Sequence, residues 1–493
     1  ISALAAPADL KEQAASTADE TCPPEMRFAA VLCLFFEVGC AALLTGVTSR
    51  TSRRLGHVNN VNMKLDDNGI LGVGIIGAGR IGMVHLEALS KCENAKAVII
   101  SNPTVSKAEA AANKFKLDAF SGDAMEVINH PDVEAVWICS PSQFHADQIK
   151  ACAAAGKHVF CEKPIATSVV ETVEAINACN EAGVQLMTAL QRRFDPNFLR
   201  VKQAIKSGEI GEVVTVKLCS RDPAPPPVEY VKGGGGIFKD MAVHDLDMAR
   251  YLMDSEPVAI MALGSCQIDP AIKTLEGPEA YDTATIVMKF ANGKDAIIDV
   301  CRQAPYGYDQ RAEVLGKKAM VQTDNSYPNT ARLYSASFTG NADKPYDFFM
   351  SRYKEAYVQE TLAFVEALVN QRPAPCTGED GLVALVMAIA AGTSAAEGRW
   401  VELKELAPVL CEAVPVGEGL EYGACEAAIV DGESGALRFD VITNPRTGLI
   451  KPVRNTAASV FERLASRVWV PPSRPDLKKK REMEIAREVK GNK

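Results

Sequence analysis

The rhythm of hydrophobic and polar positions changes along the chain, and the changes divide it. From Gly69 short apolar runs alternate with amphipathic ones: apolar Leu71 to Ile76, helical Ile81 to Ser90, apolar Ala97 to Ser101, helical Ser106 to Phe115, apolar Ala135 to Cys139. The alternation continues through a helix near His145 to Ala155, a strand His158 to Cys161, a helix whose Val169, Val173 and Ile176 recur at helical spacing, and a closing strand Val184 to Ala189. Strands that alternate with helices predict a parallel, doubly wound sheet over residues 66–190.

After about Arg192 the runs lengthen and alternate with period two, at Val213 to Cys219, Val258 to Ser265, Ala284 to Phe290 and Ala296 to Cys301, joined by turns such as Asn292-Gly293. This predicts a second, α+β domain over 191–405 with a large, mostly antiparallel sheet. A final helix, Tyr353 to Asn370, is expected to pack back on the body. Beyond Leu406 glycines interrupt every pattern, so 406–493 reads as an extension without an assigned role, ending in a charged helix whose lysines alternate with glutamates and so read as a solvated face.

Residues 1–65 stand apart. Phe28 to Val47 is almost wholly apolar, which fits a signal or targeting segment within 26–50 or a span near minimum length. The chain opens on Ile1, and Met63 lies just before the first strand. The segment is therefore read as a leader outside the fold, disordered or not native to it.

Composition narrows the partners. A net charge of -9 argues against nucleic acid or an anionic membrane as the principal partner, because both need a basic face, and suits a small neutral substrate. The 14 cysteines show no C-x-x-C pair or metal-ligand spacing, so neither a metal site nor a disulfide framework is expected, and reduced thiols point to the cytoplasm.

Gly77-Ala78-Gly79-Arg80-Ile81-Gly82 follows an apolar strand and opens a helix. That context, more than the letters, makes it a dinucleotide site in a Rossmann domain. Gly77 permits the turn, Gly79 admits the pyrophosphate, Gly82 lets helix and strand pack, and the helix N-terminus supplies donors. Where the second strand should end in an acid for the ribose, the chain reads Ser101-Asn102-Pro103. Asn102 can bind a hydroxyl but does not repel a 2'-phosphate, and Arg80 can attract one. NAD is expected, with NADP left open.

Cys161-Glu162-Lys163-Pro164 closes the fifth strand, which aims Lys163 into the cofactor crevice, although a strand-end lysine alone is usually solvated. Gly233 to Gly236 precede Ile237-Phe238-Lys239-Asp240-Met241-Ala242-Val243-His244-Asp245-Leu246-Asp247. If Asp240 onward is helical, Asp240, His244 and Asp247 share a face, and a carboxylate one turn away orients His244 and favours its protonated form. The plain alternative is a helix N-terminus carrying acids and a structural histidine.

Together with Gln191-Arg192-Arg193-Phe194-Asp195 and Tyr306-Gly307-Tyr308-Asp309, these motifs resemble the Gfo/Idh/MocA family of nicotinamide-dependent oxidoreductases, and within it the inositol 2-dehydrogenases, from about Leu71 to Leu403. The resemblance implies oxidation of a polyol ring hydroxyl, myo-inositol to 2-keto-inositol favoured, by a homodimer or homotetramer. It implies Lys163, Asp240 and His244 as the catalytic residues, with His244 as base and Asp240 orienting it. It places Arg192 and Tyr308 near substrate, and Ser140, His145 and Glu162 near cofactor, with a structural role for His145 as the alternative. Asp222 stands where inositol enzymes usually carry Asn, and its charge bears on which polyol fits. Dehydrogenation of another sugar or a dihydrodiol, and a non-catalytic dinucleotide sensor, are the rival readings.

Overall fold

A computed structural model describes residues 63–406 and two short paired strands, Ile429–Val430 and Leu437–Arg438; the expectations for the leader and for the rest of the extension lie outside the described residues. The first layer runs β1 (Leu71–Ile76), α1 (Arg80–Leu89), β2 (Ala95–Ser101), α2 (Val105–Phe115), β3 (Ala119–Ser121), α3 (Ala124–Ile128), β4 (Ala135–Ile138), α4 (His145–Ala154), β5 (His158–Glu162), α5 (Val169–Ala182) and β6 (Leu186–Ala189). Its six strands are parallel, in the order β3-β2-β1-β4-β5-β6. The order reverses between β1 and β4, and the crevice at such a reversal is where open sheets bind ligands. β1 and β4 are buried at every position, as strands covered on both faces must be. The short β3 and α3 were not expected: three residues reading intermediate, exposed, buried leave no period to detect.

The second layer comprises α6 (Pro196–Lys206), β7 (Val213–Arg221), α7 (Val228–Gly234), α8 (Val243–Met253), β8 (Pro257–Ser265), β9 (Thr283–Phe290), β10 (Asp295–Cys301), β11 (Asp309–Gly316), β12 (Met320–Thr323), the hairpin β13 (Arg332–Leu333) and β14 (Asn341–Ala342), α9 (Phe349–Arg352), α10 (Lys354–Val369), α11 (Gly378–Glu397) and β15 (Val401–Glu402). Seven strands form one sheet in the order β12-β11-β7-β10-β9-β8-β15, antiparallel except that β7 and β10 run parallel. Register explains its core: Ala262, Ile286, Ile298, Leu218 and Ala312 pair in succession across five strands, and all are buried. α8 packs on β7 and α11 on β8.

The expectation that Tyr353 to Asn370 forms the final helix is corrected by α11, twenty residues long. α11 is apolar nearly all round, so it shows no amphipathic period, as befits a buried helix. Its ends were legible all the same: Thr377 and Asp380 form a capping box, and Gly398 ends it in a left-handed conformation. α11 is the one described helix long and apolar enough to cross a membrane, and it packs against α5, α8 and β8 instead.

The two layers share their helices. α10 packs on α1, and its Phe364, Val365 and Leu368 join Trp137 and Phe160 in a core that belongs to the first sheet. A chain division at residue 190 therefore does not separate the packing.

Candidate active site

The glycine turn begins where β1 ends. Gly77 holds φ at +108°, and a Cβ there would lie 2.6 Å from the Cys139 carbonyl oxygen. At Gly82 it would lie 2.0 Å from the Gly77 oxygen, so β1, β4 and α1 meet with no room for a side chain. Gly79 differs, because a Cβ there would meet nothing within 4 Å. Gly79 is also the N-cap of α1, whose first turn carries neither a capping side chain nor an acid. Free N–H groups beside open space fit a pyrophosphate. Arg80 and Gly79 are exposed, and Ile81 is half-buried.

Asn102 closes the turn from the side. Its Oδ1 accepts from Ala78 N at 3.2 Å and its Nδ2 donates to the Thr104 carbonyl at 3.1 Å. Beyond β4, Ser140 Oγ donates to Gln148 Oε1 at 2.6 Å. His145 is buried, with its ring nitrogens 2.7 Å from the Pro164 carbonyl and 2.8 Å from that of Ser140. It ties the loop after β4 to the loop after β5 through the backbone.

Glu162 ends β5 with Oε1 2.8 Å from His85 Nε2, a contact absent from the sequence expectations. Behind it lies Glu360 of α10, fully buried with neither carboxylate oxygen partnered. Burial, and then the charge of Glu162, raise the Glu360 carboxyl well above the carboxylate range.

Lys163 crosses the crevice. Its Nζ donates to the Asp240 carbonyl at 3.1 Å and lies 3.7 Å from Asp240 Oδ1. Asp240 sits in a π-helical turn, Phe238–Ala242, ahead of α8, so regular helical spacing does not run through it. Its carboxylate meets Lys163, Arg302 Nη1 at 3.2 Å and the Tyr230 hydroxyl at 3.1 Å. His244 is on the first turn of α8, and its Nδ1 is buried without a partner. Burial, then the charges of Lys163 and Arg192, hold the imidazole well below its usual value. The expected stabilisation of a protonated His244 by a neighbouring acid is thus reversed, because cations and low dielectric dominate its surroundings. Asp247 does not share their face functionally: its carboxylate takes a two-bond clasp from Arg193, at 2.6 and 2.9 Å.

Arg192 is buried, and Nη1 donates to Ser220 Oγ and Asp245 Oδ1, both at 2.8 Å. Tyr308 is buried edge-on against Tyr353 and Phe348. Asp222 follows β7, and burial pushes its carboxyl up to about 6. Two further participants, Tyr230 and Arg302, were missed. Arg302 carried a faint signal, a charge directly after an alternating strand, but nothing local shows that it is buried.

Among the described residues no group of three metal-ligating side chains occurs. Residues 71–190 match the family model described as an oxidoreductase family with an NAD-binding Rossmann fold, and 202–403 match its C-terminal alpha/beta domain. The chain belongs to the Gfo/Idh/MocA oxidoreductase family. It is an NAD-dependent oxidoreductase.

Among its relatives, the uncharacterized oxidoreductase YrbE of Bacillus subtilis is 44% identical over 67% of this chain and 96% of the relative. The inositol 2-dehydrogenase of Rhizobium meliloti is 42% identical over 67% of this chain and 98% of its own. The solved scyllo-inositol dehydrogenase of Lactobacillus casei, with bound NAD(H) and scyllo-inositol, superposes with a TM-score of 0.63 at 27% identity, covering 68% of this chain and 99% of that one.

Proposed function

We propose that this oxidoreductase converts a ring hydroxyl of a polyol to a ketone, with myo-inositol to 2-keto-inositol as the favoured reaction. The observation that carries the reading is the meeting of Lys163 with Asp240, one turn before His244, at the carboxyl end of β5 beside the NAD cradle. Bound NAD supplies the carbon that accepts the hydride. The Lys163 ammonium holds the reacting oxygen and steadies the negative charge that grows on it. His244 takes the hydroxyl proton, and a ring kept neutral by burial and by neighbouring cations is in the state a base requires. Asp240 keeps Lys163 in place. Relatives that act on inositols by name support the substrate class.

The same reading places the enzyme in the cytoplasm, in keeping with nine described cysteines that are all free thiols. It also makes the enzyme a homodimer or homotetramer through the outer face of the second sheet, where Leu263, Ile297 and Leu315 are exposed.

Steady-state oxidation of myo-inositol, scyllo-inositol, glucose and a dihydrodiol, each with NAD and with NADP, tests substrate and cofactor together. Activity on glucose or the diol but none on myo-inositol would reject the inositol assignment. His244→Gln is expected to lower kcat by about 100-fold or more while NADH still binds; unchanged turnover would remove His244 from the chemistry.

A further inference from the structure

His85 lies on α1, the helix that opens at the glycine turn, and its ring is fully buried. The ring packs edge-on against Phe160 of β5, centroids 5.0 Å apart, and Tyr357 of α10, 5.6 Å apart. Phe160 and Glu162 alternate with Cys161 on β5 and so point to one face of the sheet, which brings the Glu162 carboxylate to the same ring. Glu162 Oε1 lies 2.8 Å from Nε2, and Nδ1 has no partner, so Glu162 is the one polar contact of His85 among the described residues. The carboxylate accepts, and Nε2 therefore carries the hydrogen.

The other oxygen of Glu162, Oε2, accepts from the Lys163 N–H at 3.3 Å. A bond of that length holds only while the carboxylate stays in place. A glutamate left to itself samples several rotamers, and the shorter bond at Oε1 fixes the group and with it Oε2. The neighbouring ties complete the picture. Lys163 Nζ donates to the Asp240 carbonyl at 3.1 Å, and the Pro164 carbonyl meets the buried His145 ring at 2.7 Å. Each residue of the segment after β5 is thus held by a different element, Glu162 by α1, Lys163 by the turn before α8 and Pro164 by α4.

We propose that His85 is a positioning residue for Lys163: by gripping one oxygen of Glu162 it turns the other to the Lys163 N–H and sets the root of the side chain that reaches the substrate oxygen. The inference rests on the reading of Lys163 given above and adds a group outside the crevice on which that lysine depends. Asp240 fixes the tip of the lysine, and His85, through Glu162, fixes its root. The grip comes from the helix whose N-terminus faces the open space at Gly79, so Lys163 is registered against that element. A shift of about 1 Å at a reacting group can cost on the order of 100-fold in rate, so loss of the grip is felt in turnover.

The test compares wild type with His85→Phe, His85→Gln, Lys163→Met and the double variant His85→Phe with Lys163→Met, assayed with NAD and myo-inositol and titrated with NADH. Phenylalanine fills the space beside Phe160 and Tyr357 but cannot donate, whereas the glutamine amide nitrogen falls near the place of Nε2 and can. His85→Phe should lower kcat about 30-fold and raise KM less, with the Kd for NADH within about 2-fold of wild type. His85→Gln should recover most of the loss. On Lys163→Met, His85→Phe should cost less than about 2-fold further, since its effect runs through a lysine already gone.

Wild-type turnover in His85→Phe, an equal loss in His85→Gln, or losses that multiply in the double variant would each overturn the proposal. If His85→Phe does not fold, His85→Gln against His85→Asn decides, because the shorter amide falls short of Glu162 and should show the loss that glutamine does not.

Hydrogen exchange gives a readout without turnover. The Lys163 N–H should exchange faster in His85→Phe and at the wild-type rate in His85→Gln, while the amides of β1 and β4 stay unchanged. A Lys163 N–H indifferent to His85, or faster exchange throughout the first sheet, overturns the proposal. Lys163→Met that oxidises myo-inositol like wild type, or a wild type that does not oxidise it, would reject the reading of the site and leave the exchange result to judge the grip. An inactive Lys163→Met beside a fully active His85→Phe would reject the role of His85 alone.

Discussion

At the scale of single residues, glycines in one turn carry different burdens. A Cβ at Gly82 would collide with backbone, whereas at Gly79 it would enter open space. Gly82→Ala is therefore expected to destabilise the protein by about 2 kcal/mol. Gly79→Ala should keep the wild-type Tm and weaken NAD binding about 10-fold, because the new methyl occupies the pyrophosphate's approach. Thermal melts beside NADH fluorescence titration separate the two, and equal melting losses would make the whole turn structural. His158 makes a second residue-scale prediction. Burial brings its ring down to about 4, and Nδ1 accepts the Gln185 N–H at 3.0 Å, which requires an unprotonated nitrogen. The unfolded ring titrates near ~6.5, so this stabilisation is whole above that pH and is lost as pH falls toward the folded value, a loss of roughly 3 kcal/mol. Urea denaturation of wild type and His158→Gln should diverge only below pH ~6.5; a constant difference at all pH values would remove the titration argument.

At the scale of elements, a set of buried ion pairs locks the turn Gln191–Phe194 against α8. Arg192 holds Asp245, and Arg193 holds Asp247 and also Asp380 of α11. Asp195 holds Arg352 of α9 at 2.6 Å. Arg193→Met strands two acids in the interior and should cost about 4 kcal/mol, whereas Arg193→Met with Asp247→Leu should recover a large part of that loss. Denaturant midpoints decide, and a double variant no more stable than the single would mean that shape rather than charge joins the elements. Both halves of the lock were visible as separate motifs. Their partnership was not, because 54 residues separate Arg193 from Asp247 and no local period links them. The same reason hid the clasp of Asp240 by Arg302.

At the scale of the whole molecule, the second sheet buries one face and leaves the other open. Leu263 is 63% exposed, Ile297 40% and Leu315 41%, and the strand register puts all three on the face opposite the core row. On the proposed reading this surface is the one a symmetric assembly covers. Sedimentation equilibrium of the wild type should give a dimer or tetramer, and Leu263→Glu with Ile297→Glu should reduce it to a smaller species that still binds NADH. A wild-type monomer at micromolar concentration would dispose of the assembly.

Local pattern alone determined five of the six parallel strands and the alternating strands from β7 to β10, because each depends on which side of a short segment faces the core, and it marked the glycine turn between β1 and α1. Strand β3 was too short to show a period, and α11, buried on all sides, had none to show. Tertiary structure decided the rest of the site. It set the company of Asp240, the unprotonated state of His244, the enclosure of Arg192 and Arg302 and the pairing of Glu162 with His85, because partner and charge state arise from residues far apart in the chain meeting in a medium that water does not reach. Lys163, Asp240 and His244 could be named from the sequence as a group. Which of them touches which became clear only once the carboxyl end of β5 was set against the start of α8.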